Sequence, residues 1–199
     1  VEPGSADPIT IVRASEIRGQ LRFWWRATRG GQFNGDIEAM RRAEGVLWGA
    51  AAGGGHGGPS LVQTVLSNVQ HGKALVPTDM RGRTTNQRGE PYRIGQPGTL
   101  DSYAAFPLND KPGSVVLEGV GFRLTITLPV DWPSTEIGRK FQGSPLTEVA
   151  AALWAWETFG GIGARTRRGF GALHCVAIDA VSNENLPSSN TATDVSDWI

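Results

Sequence analysis

The chain has 199 residues, 19 basic and 19 acidic side chains, and a hydrophobic share of 39%. These values exclude a disordered tail and a histone-like polycation, because either would carry a large net charge or few apolar residues. The length fits one ordinary domain, and no stretch approaches the roughly 18 consecutive apolar residues of a membrane-spanning helix. The single Cys175 excludes an internal disulfide and favours a reducing, cytoplasmic setting. Val1 stands where an initiator Met is expected, which predicts that the chain begins within a longer sequence.

The predicted elements alternate between helices and strands. Helices are indicated by apolar residues that recur every three or four positions and by capping residues, and strands by apolar residues at every second position. In chain order they are a helix from its N-cap Ser15 to about Thr28, a helix from its N-cap Asp36 to Trp48, a strand over 61–69, a strand over 122–128, a helix from Ser144 to Gly160 and a buried closing strand over 170–178.

This order predicts an α+β domain in which helices cover one face of an antiparallel sheet. The ferredoxin-like βαββαβ plan, which RRM domains share, is the simplest match, with most of the first strand missing. Residues 1–180 are expected to form this domain, and residues 181–199 a polar tail or linker. The stretch 72–112 is rich in Gly, Pro, Arg and Thr without periodicity, which is typical of a functional or mobile insertion.

The first helix carries a row of arginines. Sixteen of the 19 basic residues are Arg, whose planar guanidinium binds phosphate through two hydrogen bonds and stacks on flat rings. At 100° per residue, the row falls within a sector of about 80°. No acidic residue lies four positions away to relieve the repulsion between like charges, so this face is expected either to extend into water or to lie along a polyanion. The row consists of Arg18, Arg22, Arg26 and Arg29.

Two neighbours of the row are also candidate contacts. Gly19 costs the helix about 1 kcal/mol relative to Ala, and such a residue is favoured where a ligand approaches the backbone closely. Trp25 is expected at the border between the arginine row and the apolar face, where it could stack on a base or cover an arginine stem.

A glycine-rich basic turn, 160–171, follows the last predicted helix. Glycine lets a backbone approach phosphate, and consecutive amides can form an anion-binding concavity. A dinucleotide site is not expected, because the third Gly of GxGxxG is missing and the turn follows a helix; no P-loop occurs in the chain. The run RGFG matches the start of the RRM signature, but Ala172 and Cys175 stand where that motif needs stacking aromatics. The expected RNA contacts of the turn are Gly161, Gly163, Arg165, Thr166, Arg167, Arg168 and Gly169.

Two segments, 17–27 (IRGQLRFWWRA) and 160–173 (GGIGARTRRGFGAL), resemble the RAMP proteins of CRISPR systems. More narrowly, they are similar to the first subunit of the type III-B Cmr effector complex, and the likeness covers most of 5–180. The resemblance implies a ferredoxin-like RNA-binding fold, a position near the 3′ end of the guide RNA, capture of complementary target RNA, and other Cmr or RAMP subunits as partners. The sequence departs from the family in lacking most of the first strand and any second ferredoxin-like half.

In such complexes, irregular insertions often form thumb-like contacts between RNA bases. The resemblance therefore makes 73–93 a candidate for such contacts, through Arg81, Arg83 and Arg88.

No cofactor or metal site is predicted. Three His residues and one Cys are scattered without metal-ligand spacing, and no GxSxG nucleophile motif occurs. Asp79 is the one candidate catalytic residue, because a carboxylate beside arginines could help activate a ribose hydroxyl; the alternative is an ordinary loop-surface Asp.

Three functions stay open at this stage. The preferred one is a non-catalytic RNA-binding subunit, in which the arginine row and the basic turn line a single groove for one RNA strand. The second is a RAMP-family endoribonuclease that uses Asp79. The third is an assembly subunit whose Trp-rich helices contact proteins and whose arginines pair with acidic partners.

Overall fold

A computed structural model describes residues 11–50, 58–111, 113–129, 143–163 and 165–179. The residues it leaves out include the start of the chain, residues 51–57 and the expected tail at 181–199. Within the described ranges the fold is α+β, as predicted. Its elements are α1 (Ala14–Arg29), α2 (Ile37–Trp48), β1 (Gln63–Gln70), β2 (Lys73–Ala74), α3 (Ser102–Asn109), β3 (Leu117–Glu118), β4 (Gly121–Thr127) and α4 (Pro145–Phe159).

Two of the three predicted helix starts are confirmed by their caps. The side chain of Asp36 accepts a hydrogen bond from the backbone amide of Ala39 at 2.9 Å, and Ser144 caps α4 in the same way. The predicted Ser15 cap is wrong, because α1 begins two residues earlier than that cap requires. Arg13 occupies the N-cap position, and its side chain makes no capping hydrogen bond.

The two predicted strands pair with each other. β1 and β4 are antiparallel, with Leu66 opposite Leu124, and their apolar side chains pack on the core. β2 and β3 form a second, two-residue pair. Among the described residues the sheets contain two strands each, so the four-stranded ferredoxin-like sheet is not formed within those ranges.

The predicted closing strand at 170–178 is wrong. Residues 172–179 form neither helix nor strand, and Val176 is 86% exposed. The amide of Cys175 donates instead to the side chain of Glu157 on α4, at 3.0 Å. An apolar alternation forms a strand only where a neighbouring strand offers a ladder, and here a helix side chain takes one of the amides that a ladder would use.

The core lies between α1, α4 and the β1–β4 pair. Ile17, Leu21 and Trp25 are fully buried on one side of α1, and they form one cluster with Val149 and Trp156 of α4. α4 presents mainly alanines to this core, and these small side chains allow two helices to approach closely. The indole N–H of Trp25, near the end of α1, donates to Glu148 in the first turn of α4, and the ring of Trp24 contacts Phe159 at the other end of α4.

The insertion is more regular than its sequence predicts. It contains α3 and β2, and Asp79 forms a bridge with Thr99 that closes the loop between them. Ile94 and Ala105 are buried beneath this loop. The insertion is thus a small packed unit that presents one face of α3 to the solvent.

Candidate nucleic-acid interface

Two arginines of the α1 row share one carboxylate on α2. Arg22 and Arg26 lie 2.6 and 2.5 Å from the same oxygen of Glu44. The Glu44 side chain is only 7% exposed, whereas the two arginine side chains are 35% and 40% exposed. The carboxylate therefore lies beneath the guanidiniums. The row does not simply extend into water, because a second helix supplies the acidic partner that α1 lacks.

Arg29, the last arginine of the row, belongs to the core. It lies 2.8 Å from Glu148 of α4, whose other oxygen accepts the indole N–H of Trp25 at 2.7 Å and a longer bond from Gln32 at 3.3 Å. Trp25 is fully buried. The prediction that it lies at an accessible border and can stack on a base is wrong, because α4 covers this edge of α1.

Arg18 differs from the rest of the row. Its side chain is exposed and makes no hydrogen bond or ion pair with the residues that the structure describes. It lines an open cleft of about 350 Å³ together with Arg22, Trp48 and Ser60. The buried indole N–H of Trp48 has no acceptor within the described ranges. The cleft is thus lined by the side chains of two arginines.

Gly19 lies on the exposed side of α1 beside the row. A side-chain carbon added there would meet no atom of the described residues within 4 Å. Packing inside this part of the chain therefore does not require the glycine, and the prediction that a ligand approaches it stays a prediction.

The basic turn is closed by its glycines. The amide of Ile162 donates to the carbonyl of Gly171 at 2.9 Å. A side-chain carbon at Gly171 would lie 1.8 Å from the Ile162 carbonyl oxygen, and one at Gly161 would lie 2.7 Å from that of Gly171. Gly163 and Gly169 have open space around them but adopt φ of +84° and +85°, which favours glycine. The conformation and packing of the turn therefore explain the glycines at these positions without a bound phosphate.

The arginines of the turn contact the insertion helix. Arg165 donates to the carbonyl of Ala104 at 2.5 Å, and its guanidinium lies 5.6 Å from the centroid of the Phe106 ring. Arg168 lies 5.0 Å from the ring centroid of Tyr103. The third arginine of the turn, Arg167, is exposed and makes no such contact with the described residues, and Thr166 begins the short 3-10 turn that carries it.

Asp79 organises the insertion loop. Its carboxylate accepts the backbone amides of Arg81 and Arg83 at 2.9 Å and pairs with the Arg83 guanidinium at 2.7 Å. The amide of Arg83 lowers the pKa of Asp79 below its usual value, and the remaining bonds to Arg83 and Arg81 act in the same direction. Asp79 is buried, so the interpretation as a loop-surface Asp is wrong. The side chains of Arg81 and Arg88 are exposed, and their RNA contacts stay predictions.

The contacts do not bring the two arginine clusters into one groove. The turn is attached to α1 through Glu16, which accepts the amide of Gly163 at 2.9 Å. Glu16 and Arg22 are six positions apart and so lie about 120° apart around the helix. The turn and Glu44 therefore contact α1 at positions about 120° apart around the helix. Among the described residues no hydrogen bond, ion pair or ring contact joins the clusters.

Comparison with known proteins identifies the family. The model of the RAMP superfamily matches residues 2–174. The chain belongs to the RAMP superfamily. It is also 25% identical over 179 residues to the CRISPR system Cmr subunit Cmr1-1 of Pyrococcus furiosus, covering 88% of this RAMP chain and 44% of that protein. The chain thus spans less than half the length of this curated relative. The resemblance of the two signature segments to RAMP proteins and to the first Cmr subunit is confirmed.

Sequence reasoning missed the two carboxylates that hold the arginine row. Both stand on otherwise apolar stripes: Glu44 is three positions before Leu47, and Glu148 is four before Ala152. A lone carboxylate on such a stripe is a signal for a buried cationic partner. Tyr103 and Phe106 were also missed, because α3 lacks the periodicity that would have indicated a helix. No helix in the described part of the chain is long and apolar enough to cross a bilayer.

Proposed function

We propose that this RAMP protein is an RNA-binding subunit of a type III-B CRISPR effector complex, which contacts the guide RNA near its 3′ region and helps capture complementary target RNA. Family membership and the similarity to a CRISPR Cmr subunit support this proposal. Other Cmr and RAMP subunits are its proposed partners, and the cytoplasm its proposed location. We also propose a ferredoxin-like plan for the complete fold, in which β1 and β4 are two adjacent strands.

The observation that carries the proposal is the excess positive charge on α1. Arg18, Arg22 and Arg26 present three guanidiniums, whereas the carboxylate of Glu44 is the only one that pairs with them among the described residues. Because that carboxylate is beneath the guanidiniums, it fixes Arg22 and Arg26 while their outer edges stay open. A guanidinium that is already held in place loses less conformational freedom when it binds a phosphate.

Arg18 offers the cleanest test, because it supports no other contact among the described residues. We expect Arg18→Ala to leave the thermal midpoint unchanged and to weaken binding of a fluorescent single-stranded RNA. Removing one phosphate contact should also make the slope of log affinity against log salt shallower by about 0.7. Fluorescence anisotropy across a salt series measures both quantities.

Arg42→Ala is the matched control for this test. Arg42 is an exposed arginine on α2, about 160° around that helix from Glu44 at 100° per residue. Its removal changes net charge equally but away from the cleft. Equal effects of Arg18→Ala and Arg42→Ala, or an affinity that does not depend on salt, would contradict the proposal.

An assembly subunit is the second candidate, and the ion pairs favour it in part. Arg22, Arg26 and Arg29 all bind carboxylates of this same chain, so structure alone accounts for three of the four arginines in the row. A triple variant in which Arg22, Arg26 and Glu44 all become Gln separates the candidates without leaving a buried carboxylate unpaired. Loss of RNA affinity in a folded triple variant supports the RNA-binding subunit, and unchanged affinity supports the assembly subunit.

We propose that the chain does not cleave RNA. The Asp79 carboxylate already accepts two amides and one guanidinium, and a carboxylate of lowered pKa is a weaker general base. We expect labelled RNA to stay intact during incubation with the purified chain. Cleavage that disappears in Asp79→Ala would support the endoribonuclease alternative instead.

A further inference from the structure

Two aromatic side chains of α3 stand beside the basic turn and are open to solvent. Tyr103 is 79% exposed and Phe106 is 56% exposed. Three positions separate them, so they share one face of the helix. The guanidinium of Arg168 lies over the first ring and that of Arg165 over the second. Two pairs of a ring and a guanidinium therefore stand next to each other.

Each pair leaves one face of its ring open. A ring has two faces, a guanidinium can cover only one of them, and much of each aromatic side chain is in contact with water. Exposed aromatic surface that is grouped in this way marks an interaction site more often than scattered apolar residues do.

The arrangement is held in place before any ligand binds. Arg165 adopts φ +65° and ψ +29°, a left-handed conformation that is unfavourable for a non-glycine residue. Its side chain is anchored to α3 by the bond to the Ala104 carbonyl. The strained turn is thereby fixed against the helix that carries the rings.

The charge of this surface indicates what it binds. Arg165, Arg167 and Arg168 have no carboxylate within ion-pair distance among the described residues, in contrast to Arg22, Arg26 and Arg29. Three uncompensated guanidiniums beside two open rings are complementary to a chain that carries phosphates and flat bases. Single-stranded RNA has both, whereas the bases of a duplex are stacked on each other and out of reach.

We propose that Tyr103 and Phe106 stack on unpaired RNA bases while Arg165, Arg167 and Arg168 contact the adjoining phosphates. We call these five residues the stacking surface. The proposal rests on the RNA-binding function proposed above, and it adds a second contact region with a defined substrate class, unpaired nucleotides. The stacking surface shares no contact with the arginine row of α1 within the described residues.

The test removes the rings and keeps their apolar character. In the full 199-residue chain, Tyr103→Leu/Phe106→Leu should weaken binding of a short oligouridylate by about tenfold or more, because each stacked base contributes strongly to affinity. The slope of affinity against salt should not change, since no charge is removed. The exchange variant Tyr103→Phe/Phe106→Tyr should bind as the unchanged protein does.

Phe159→Leu is the matched control. Phe159 is 64% exposed, and its ring contacts Trp24 and Trp154 rather than an arginine. We expect this variant to keep its affinity for oligouridylate. An abasic oligonucleotide of the same length separates stacking from phosphate binding, because its affinity should be equal for the Leu variant and the unchanged protein.

Several outcomes overturn the inference. If the Leu double variant binds oligouridylate as tightly as the unchanged protein, the stacking inference is wrong. The proposed RNA-binding function still stands in that case, provided that Arg18→Ala weakens binding. If the Leu double variant keeps its oligouridylate affinity but no longer binds a partner Cmr subunit, the stacking surface is a protein contact site. An unchanged chain that binds no RNA would overturn both proposals.

A second measurement covers the case in which the Leu variant does not fold. In the unchanged protein, 5-bromouridine in the oligouridylate should crosslink to Tyr103 or Phe106 on irradiation. Adducts confined to other parts of the chain would overturn the inference.

Discussion

The arginines of α1 and those of the basic turn are held by different neighbours. Arg22, Arg26 and Arg29 reach carboxylates on two other helices, whereas Arg165 and Arg168 lie over aromatic rings of the insertion. A carboxylate cancels one charge and joins two helices, while a ring holds a guanidinium and leaves its charge intact. The same residue type thus joins helices in one region, whereas in the other it attaches a turn to the insertion and keeps its full charge.

The largest expected effect is that of Glu148→Ala. It removes the carboxylate that pairs with Arg29, which is 18% exposed, and it leaves the buried indole N–H of Trp25 without the acceptor seen in this structure. Breaking a buried pair in this way costs about 3–5 kcal/mol of unfolding free energy, which urea denaturation measures. Glu44→Ala should cost less, about 1 kcal/mol, because the arginines it releases are partly exposed and can be hydrated. Equal losses of unfolding free energy in the two variants would contradict the difference proposed here between the Glu148 and Glu44 ion pairs.

Two glycines with open surroundings should respond in opposite directions. Gly19→Ala should raise the free energy of unfolding by about 1 kcal/mol, because alanine is the better helix former. Gly163→Ala should lower it by about 1 kcal/mol or more, because alanine is strained at φ +84°. Urea denaturation of both variants checks this, and a stabilised Gly163→Ala would contradict the described conformation of the turn.

Arg168→Ala should cost little stability. A cation–π contact at an exposed ring is worth about 0.5–1 kcal/mol, so the loss should stay within that range while RNA affinity falls. Arg167→Ala, which removes the same charge without a ring contact, is the comparison for stability. A loss as large as that of Glu148→Ala would show that the turn has the same structural role as the arginine row.

The smallest effect depends on pH. Because folding lowers the pKa of Asp79, the ionised carboxylate stabilises the fold above its usual value of 3.8, and this contribution is lost as the pH falls through the folded pKa. The difference in thermal midpoint between the unchanged protein and Asp79→Asn should therefore be largest near neutral pH and should disappear at acidic pH. A difference that persists below the folded pKa would mean that charge is not its cause.

Local features of the fold were predictable from sequence. The cap at Asp36, the proline and serine that open α4, and the two paired strands all depend on short-range chemistry. The two signature segments indicated the family for the same reason, since each is contiguous.

What sequence could not supply were contacts between distant positions. Glu148 bonds to Trp25 across 123 positions, and helical periodicity places Trp25 at an edge without saying what covers that edge. The prediction of a closing strand was wrong for a related reason. Val176 and Ile178 alternate as strand residues do, but they meet no strand partner within the described ranges.

The hydrogen bond from Gly163 to Glu16 spans 147 positions, and this separation sets an order of assembly. One exposed hydrogen bond does not offset the entropy of closing so long a loop, whereas the buried contacts between α1 and α4 can, so we expect these helices to dock first and the turn to close onto them afterwards. During synthesis the ribosome must complete residue 171 before that closure can occur. The basic turn is therefore expected to reach its final conformation last, once the hydrophobic core already exists.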